Sequence, residues 1–189
     1  LLSATVSGFW GWVSSLFIRI HGLPVQEAGF YIAAFAGVGG LIGNLSAAVV
    51  AGRVGQRGSR AVLTFIAMGA AAIFPFGAIM ALAPKFAVAV VMLPVVAALA
   101  NCLFGPLVGV MLTLAKVRMR GVASSFLYVC GTLVGMGVGP LIVGTISQAL
   151  GGGNAIRYGL AALFLLNTWA AFHFLSGRRT LEADINRAS

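Results

Sequence analysis

The sequence predicts an all-α polytopic membrane protein with six transmembrane helices, and three observations carry that reading. Apolar runs of ~20 residues, the length a helix needs to cross a bilayer, alternate along the chain with short polar connectors. Of 189 residues 60% are hydrophobic and only 8% charged, where a soluble domain carries about a quarter charged residues; the mean hydropathy is +1.06. The twelve Lys and Arg residues fall unevenly between alternate connectors, as they do in proteins whose orientation is set by cytoplasmic positive charge.

Taken in order, the first span is Leu1–Ile20, ended by Arg19 and His21 before the turn Gly22-Leu23-Pro24. The second is Glu27–Val50, stopped by Arg53, Gly55 and Arg57. The third, Ala61–Ala83, carries Thr64 as its one polar side chain and ends at Pro84-Lys85. The fourth, Phe86–Ala115, contains Pro94, Asn101 and Pro106. The fifth lies within Lys116–Leu150 and is closed by Gly151-Gly152-Gly153-Asn154; the sixth is Ile156–Leu175. Residues 1–175 thus form one bundle, and 176–189 a polar cytoplasmic tail.

The connectors after the second and fourth spans, with the tail, hold Arg53, Arg57, Arg60, Lys116, Arg118, Arg120, Arg178, Arg179 and Arg187. The other side holds Arg19, Lys85 and Arg157. Nine against three places those connectors and the tail in the cytoplasm, and an even number of spans places Leu1 there as well. Leu1 opens inside an apolar run, with no basic leader or cleavage site before it, and reads as a cut. The net charge of +9 marks topology rather than nucleic-acid binding, because the cations sit in loops between apolar runs.

The fifth span is the most distinctive. Gly131, Gly135 and Gly139 recur every fourth residue and share one helix face, which allows a second backbone to approach closely in lipid. Pro140 then removes a donor from the helical ladder, so a neighbour must accommodate a slight break. Gly39 and Gly43 offer a second close-packing pair. The string Gly37–Gly43 lacks the spacing and the preceding strand of a dinucleotide loop.

Chemistry is bounded mainly by what is missing. The acids are Glu27, Glu182 and Asp184 alone, at or beyond the edges of the spans, which excludes paired catalytic carboxylates and an intramembrane carboxylate relay built from this chain. Cys102 and Cys130 have no ligand at metal spacing and read as apolar filler. No cofactor, metal or enzymatic activity is expected. Six polar or amphipathic side chains are candidates for a solute-binding cavity. Asn44 and Asn101 either fasten helices or line the cavity. Tyr128 and Thr132, one turn apart, either pack in the core or line it. Arg19, a turn or two beyond Trp12, is either a snorkelling anchor or a contact for an anionic solute group. His173, between Phe172 and Phe174, reads as interfacial packing.

Three stretches carry a family resemblance. Ala51-Gly52-Arg53-Val54-Gly55-Gln56-Arg57 resembles the basic loop of the major facilitator superfamily, G-x-x-x-D-R-x-G-R-R: Arg53, Gly55 and Arg57 match, while Gly52 stands at the acidic position and Ala48 at the leading glycine. Trp12 through Phe17-Ile18-Arg19-Ile20-His21-Gly22-Leu23 is similar to the seventh helix of its Spinster-like branch. Arg118-Met119-Arg120-Gly121-Val122-Ala123-Ser124, continued by Gly135-Met136-Gly137-Val138-Gly139-Pro140, resembles the same branch between its tenth and eleventh helices.

The resemblance implies the C-terminal six-helix half of a twelve-helix secondary transporter that moves a small organic or amphiphilic, lysolipid-like solute by alternating access. It implies a gating role for Arg53, Gly55, Arg57, Arg118 and Arg120, a missing N-terminal six-helix half as partner, and a bacterial inner membrane as location. Spans one, two, four and five would face the cavity, three and six the lipid. A half that works as a homodimer and a non-transporting membrane scaffold are the alternatives.

Overall fold

The computed structural model describes residues 1–181 and residue 185, so Glu182, Asp184 and Arg187 lie outside the described residues. Within the described residues every regular element is helical. Helix α1 spans Leu2–His21 and ends on Gly22, whose φ of 69° lets its N–H reach back to the carbonyl of Ile18, the left-handed glycine cap that closes many helices. Pro24 then opens α2, Val25–Tyr31. A π-turn over Ile32–Ala36 joins α2 to α3, Gly37–Gly55, in one continuous rod. The wider π-turn lets Ala28 and Ala36, eight residues apart, stay on the buried side with Gly39, Gly43 and Ala47.

Gly58, at φ 93°, turns the chain into α4, Ser59–Leu82. Ala83-Pro84 ends it, and α5 runs from Phe86 to Thr113 with Pro94 and Pro106 inside. A short 3-10 turn, Val117–Met119, leads into α6, Arg120–Ala149. Gly151, Gly152 and Gly153 all have positive φ and reverse the chain into α7, Ile156–Gly177.

Among the described residues five helical rods are long and apolar enough to cross a membrane: Val25–Gly55, Ser59–Leu82, Phe86–Thr113, Val117–Ala149 and Gly153–Gly177. The sequence predicts six. The difference is α1, whose 20 residues suffice in length but are diluted by Ser3, Thr5, Ser7, Ser14, Ser15 and Arg19. Its depth also departs from expectation. Ser3 packs at Gly131 and Gly135, and Gly8 at Gly139, so the first turn of α1 meets α6 about three turns from its basic end. Leu1, itself exposed, therefore lies level with the middle of α6 rather than with the basic connectors.

Two more details correct the sequence reading. Arg53 and Gly55 belong to the last turn of α3, so of that basic stretch only Arg57 lies in the connector proper. Pro140 does not interrupt α6, which continues through it to Ala149.

The helices pack in close pairs. α4 lies against α7 and α5, α3 against α5, and α1 against α6 and α7. The main core joins Val13, Leu16 and Phe17 of α1 to Met80 of α4, Leu93 of α5, and Leu160, Leu163 and Phe164 of α7. A smaller cluster of Leu63, Ile66, Val110 and Leu181 closes the basic end. Glycines set the tightest approaches. A Cβ on Gly139 would strike the carbonyl of Ala4, and one on Gly8 would lie 2.8 Å from the carbonyl of Gly139. Gly39 and Gly43 meet the backbone of Pro94 and Ala98 in the same way. Where burial gives no net drive between apolar helices, such backbone proximity gains dispersion contact along both rods.

Candidate solute-binding cleft

The pairing of α1 with α6, and the position of α5 across from them, leaves an open cleft of about 270 Å³ between the three helices. Its polar atoms come from Ser3 and Ser7 of α1 and Tyr128 and Thr132 of α6; Phe104 and Leu107 of α5 and Met136 of α6 supply apolar wall. Tyr128 is 53% exposed, and its ring lies 6.0 Å from that of Phe104, bridging α6 to α5. Hydroxyls set among apolar and aromatic walls suit a ligand that is mostly apolar with a few hydrogen-bonding groups. Among the described residues, the only ionisable group lining the cleft is the Tyr128 phenol.

Tyr128 and Thr132 are thus brought together in the cleft, with Gly131 between them on its wall. The other four candidates lie elsewhere. Trp12 turns its indole toward α6, where Nε1 donates to the Pro140 carbonyl at 3.0 Å. Asn101 donates from Nδ2 to its own helix at the Ala97 carbonyl, 2.8 Å away, and sits opposite Gly40 of α3. Asn44 is exposed on α3, and Arg19 is exposed near the end of α1. Of the helices expected around the cavity, α1, α5 and α6 line this cleft, whereas the α2–α3 rod does not; α4 and α7 pack together away from it. Ser3 and Ser7 escaped the sequence reading. Their signal is visible in retrospect, because Ser3, Ser7 and Gly11 repeat every fourth residue along α1.

The polar residues of α7 fall into two kinds. Thr168 donates to the Leu165 carbonyl at 2.7 Å, and His173 Nδ1 lies 3.0 Å from the Trp169 carbonyl, so both are satisfied by their own helix. Asn167 is fully buried, and among the described residues neither its amide nitrogen nor its oxygen has a partner. Cys102 is buried, Cys130 is half-buried, and both are unpaired. At the far end of the bundle the His21 ring lies edge-on to Phe17 and tilted against Phe86. Burial first, and then the charge of Arg157, pushes its imidazole below the usual range.

Two solved structures share this fold. The chain aligns over 97% of its length with a bacterial homolog of the human lysosomal transporter Spinster in an inward-facing, unoccupied conformation, at a TM-score of 0.77 and 19% identity. It aligns over its full length with the inward-facing, occupied conformation at a TM-score of 0.63 and 19% identity. The chain spans about half of those proteins, 46% and 47% respectively. No family model and no curated protein sequence matches it.

Proposed function

We propose that this chain is one six-helix half of a secondary transporter of major facilitator type, which moves a small organic or amphiphilic, lysolipid-like solute by alternating access. The observation that carries the proposal is the cleft between α1, α5 and α6, polar at Ser3, Ser7, Tyr128 and Thr132 and apolar elsewhere. Half-length correspondence with an inward-facing transporter supports it. In such proteins two repeats rock about a shared midplane site. The sixth crossing is then α1, and the charge asymmetry puts the basic face in the cytoplasm, in an inner membrane if the source is bacterial. Arg53, Gly55, Arg57, Arg118 and Arg120 would act in gating at that face.

Within this reading Tyr128 and Thr132 present hydroxyls to the polar end of the solute, while Phe104, Leu107 and Met136 hold its apolar body. Arg19 and Asn44 are exposed on the faces of α1 and α3 and would meet solute from the partner half's side. Large apolar side chains such as Leu41 and Leu45 of α3 and Phe126 and Leu133 of α6 are more than 60% exposed, and they supply surface for that half. The same exposed faces favour the second reading, a homodimer of two identical halves. The test is uptake of a labelled lysophospholipid into proteoliposomes by the protein reconstituted with its partner half. Tyr128→Ala should lower the initial rate at least about tenfold, a loss of about 1.4 kcal/mol, with unchanged melting in detergent. Unchanged uptake would remove the cleft from the solute's path. Uptake by the chain alone, with crosslinked dimers, would favour the homodimer.

A further inference from the structure

We infer that the end of the bundle away from the basic connectors is a pH-operated latch, in which protonation of His21 releases the tip of α1 from the starts of α5 and α7. The inference concerns a motion within this chain and does not rest on the transport reading.

The latch is a cluster of rings with two cationic side chains set into it. The His21 ring lies 5.5 Å from that of Phe86 at the start of α5, and both meet Phe17, one turn earlier on α1, at 6.1 and 5.6 Å. Tyr31 closes the cluster from α2, its ring 5.0 Å from that of Phe86. Rings from three helices thus hold the tip of α1. Arg157 comes from the first turn of α7, close enough for its charge to reach the imidazole. His21 Nε2 and Arg157 Nε are both shut off from solvent, and neither has a hydrogen-bond partner among the described residues.

This arrangement suits a neutral imidazole and penalises a charged one. A proton on His21 would set a second positive charge beside Arg157, behind a wall of rings, with a buried N–H that has nothing to donate to. Water could solvate that charge only if the rings part. Burial first, and then the charge of Arg157, already hold the ring below its usual range, so the cost of the proton falls on the closed form. The latch is therefore closed above the ordinary histidine value of about 6.5 and opens as pH falls below it.

The other titratable or charged side chains at this end are Arg19 on α1, Glu27 and Tyr31 on α2, and Lys85 ahead of α5. Arg19 and Lys85 add positive charge and so oppose protonation of His21. Glu27 is exposed, and neither of the two buried nitrogens bonds to it. The remaining acids, Glu182 and Asp184, lie outside the described residues and follow Gly177, ~30 Å along α7 from Arg157.

The test is a distance measurement in nanodiscs between spin labels on Val25→Cys and Tyr158→Cys, both exposed positions at this end, with Cys102 and Cys130 replaced by alanine. One short distance should dominate at pH 7.5. At pH 5 a longer one should gain at least about fivefold in population, reversibly. His21→Phe, which keeps a ring in the cluster, should hold the short distance at both pH values, and His21→Gln gives the same reading if the phenylalanine variant does not fold. Arg157→Lys should keep the response, Arg157→Gln should shrink it, and Glu27→Gln should leave it unchanged. A pH-independent distance with His21 in place, or the same response in the His21 variants, would overturn the latch. So would equal responses in the two Arg157 variants, or a response abolished by Glu27→Gln.

Discussion

The indole of Trp12, the amide of Asn167 and the imidazole of His21 are polar groups in an apolar setting, and each meets that setting differently. Trp12 donates to the carbonyl of Pro140 on the neighbouring helix, a partner 128 residues away in sequence. No spacing rule could have found that pair, and the sequence reading placed Trp12 in the cavity instead. Asn167 has no partner among the described residues, so its burial is a cost that the surrounding α4–α7 packing offsets. His21 closes α1 just beyond the first span, at the end away from the basic connectors, and its buried Nε2 has no partner among the described residues. Because burial and Arg157 lower its pKa, the folded state favours the neutral ring. Its stabilising contribution is therefore complete above the unfolded value of about 6.5 and is lost as pH falls below it, until the folded value is passed. The melting temperature in detergent should drop between pH 7 and pH 5, and His21→Phe should flatten that drop. An identical pH profile in the variant would assign the sensitivity to another group.

At the scale of the helix, the glycine face of α6 was readable because its period of four falls inside one apolar run. What the run did not reveal was the partner. Gly131, Gly135 and Gly139 meet Ser3, Ala4, Ser7 and Gly8 of α1, a stripe of small residues that only becomes meaningful beside the first. Helix boundaries were legible within a few residues, because prolines and glycines punctuate the chain. The π-turn at Ile32–Ala36 was not, since it depends on keeping one side of a long rod against α5. Two glycines on α6 separate packing from propensity. Gly139→Ala would drive a Cβ into the Ala4 carbonyl, whereas Gly137 has open space around it. Reversible unfolding in mixed micelles should show Gly139→Ala destabilised by about 1–3 kcal/mol. Gly137→Ala should be neutral or gain up to about 1 kcal/mol from helix propensity. Equal effects at both positions would mean that the α1–α6 approach is not set by this contact.

For the whole molecule the decisive quantity is the sidedness of its connectors. The fold alternates, so the turns at Gln56 and Lys116 lie at one end of the bundle, while Gly22 and Gly152 lie at the other. From the charge count the first pair is expected to face the cytoplasm. That expectation needs only connector composition, whereas the depth of α1 depends on the register of Gly8 against Gly139 and has no counterpart in the sequence. Single cysteines at 56, 116, 22 and 152, introduced after Cys102 and Cys130 are replaced by alanine, would read the arrangement in intact cells with an impermeant maleimide. Gly22→Cys and Gly152→Cys should label from outside, and Gln56→Cys and Lys116→Cys only after permeabilisation. Gly22 is the sharpest position, because it reports α1, the one rod whose apolarity falls short of a span. If Gly22→Cys labelled with the cytoplasmic pair, the α2–α3 rod would have to leave and re-enter the same face. The pairing of Gly39 and Gly43 with Pro94 and Ala98 along α5 would then have no membrane-spanning frame to hold it.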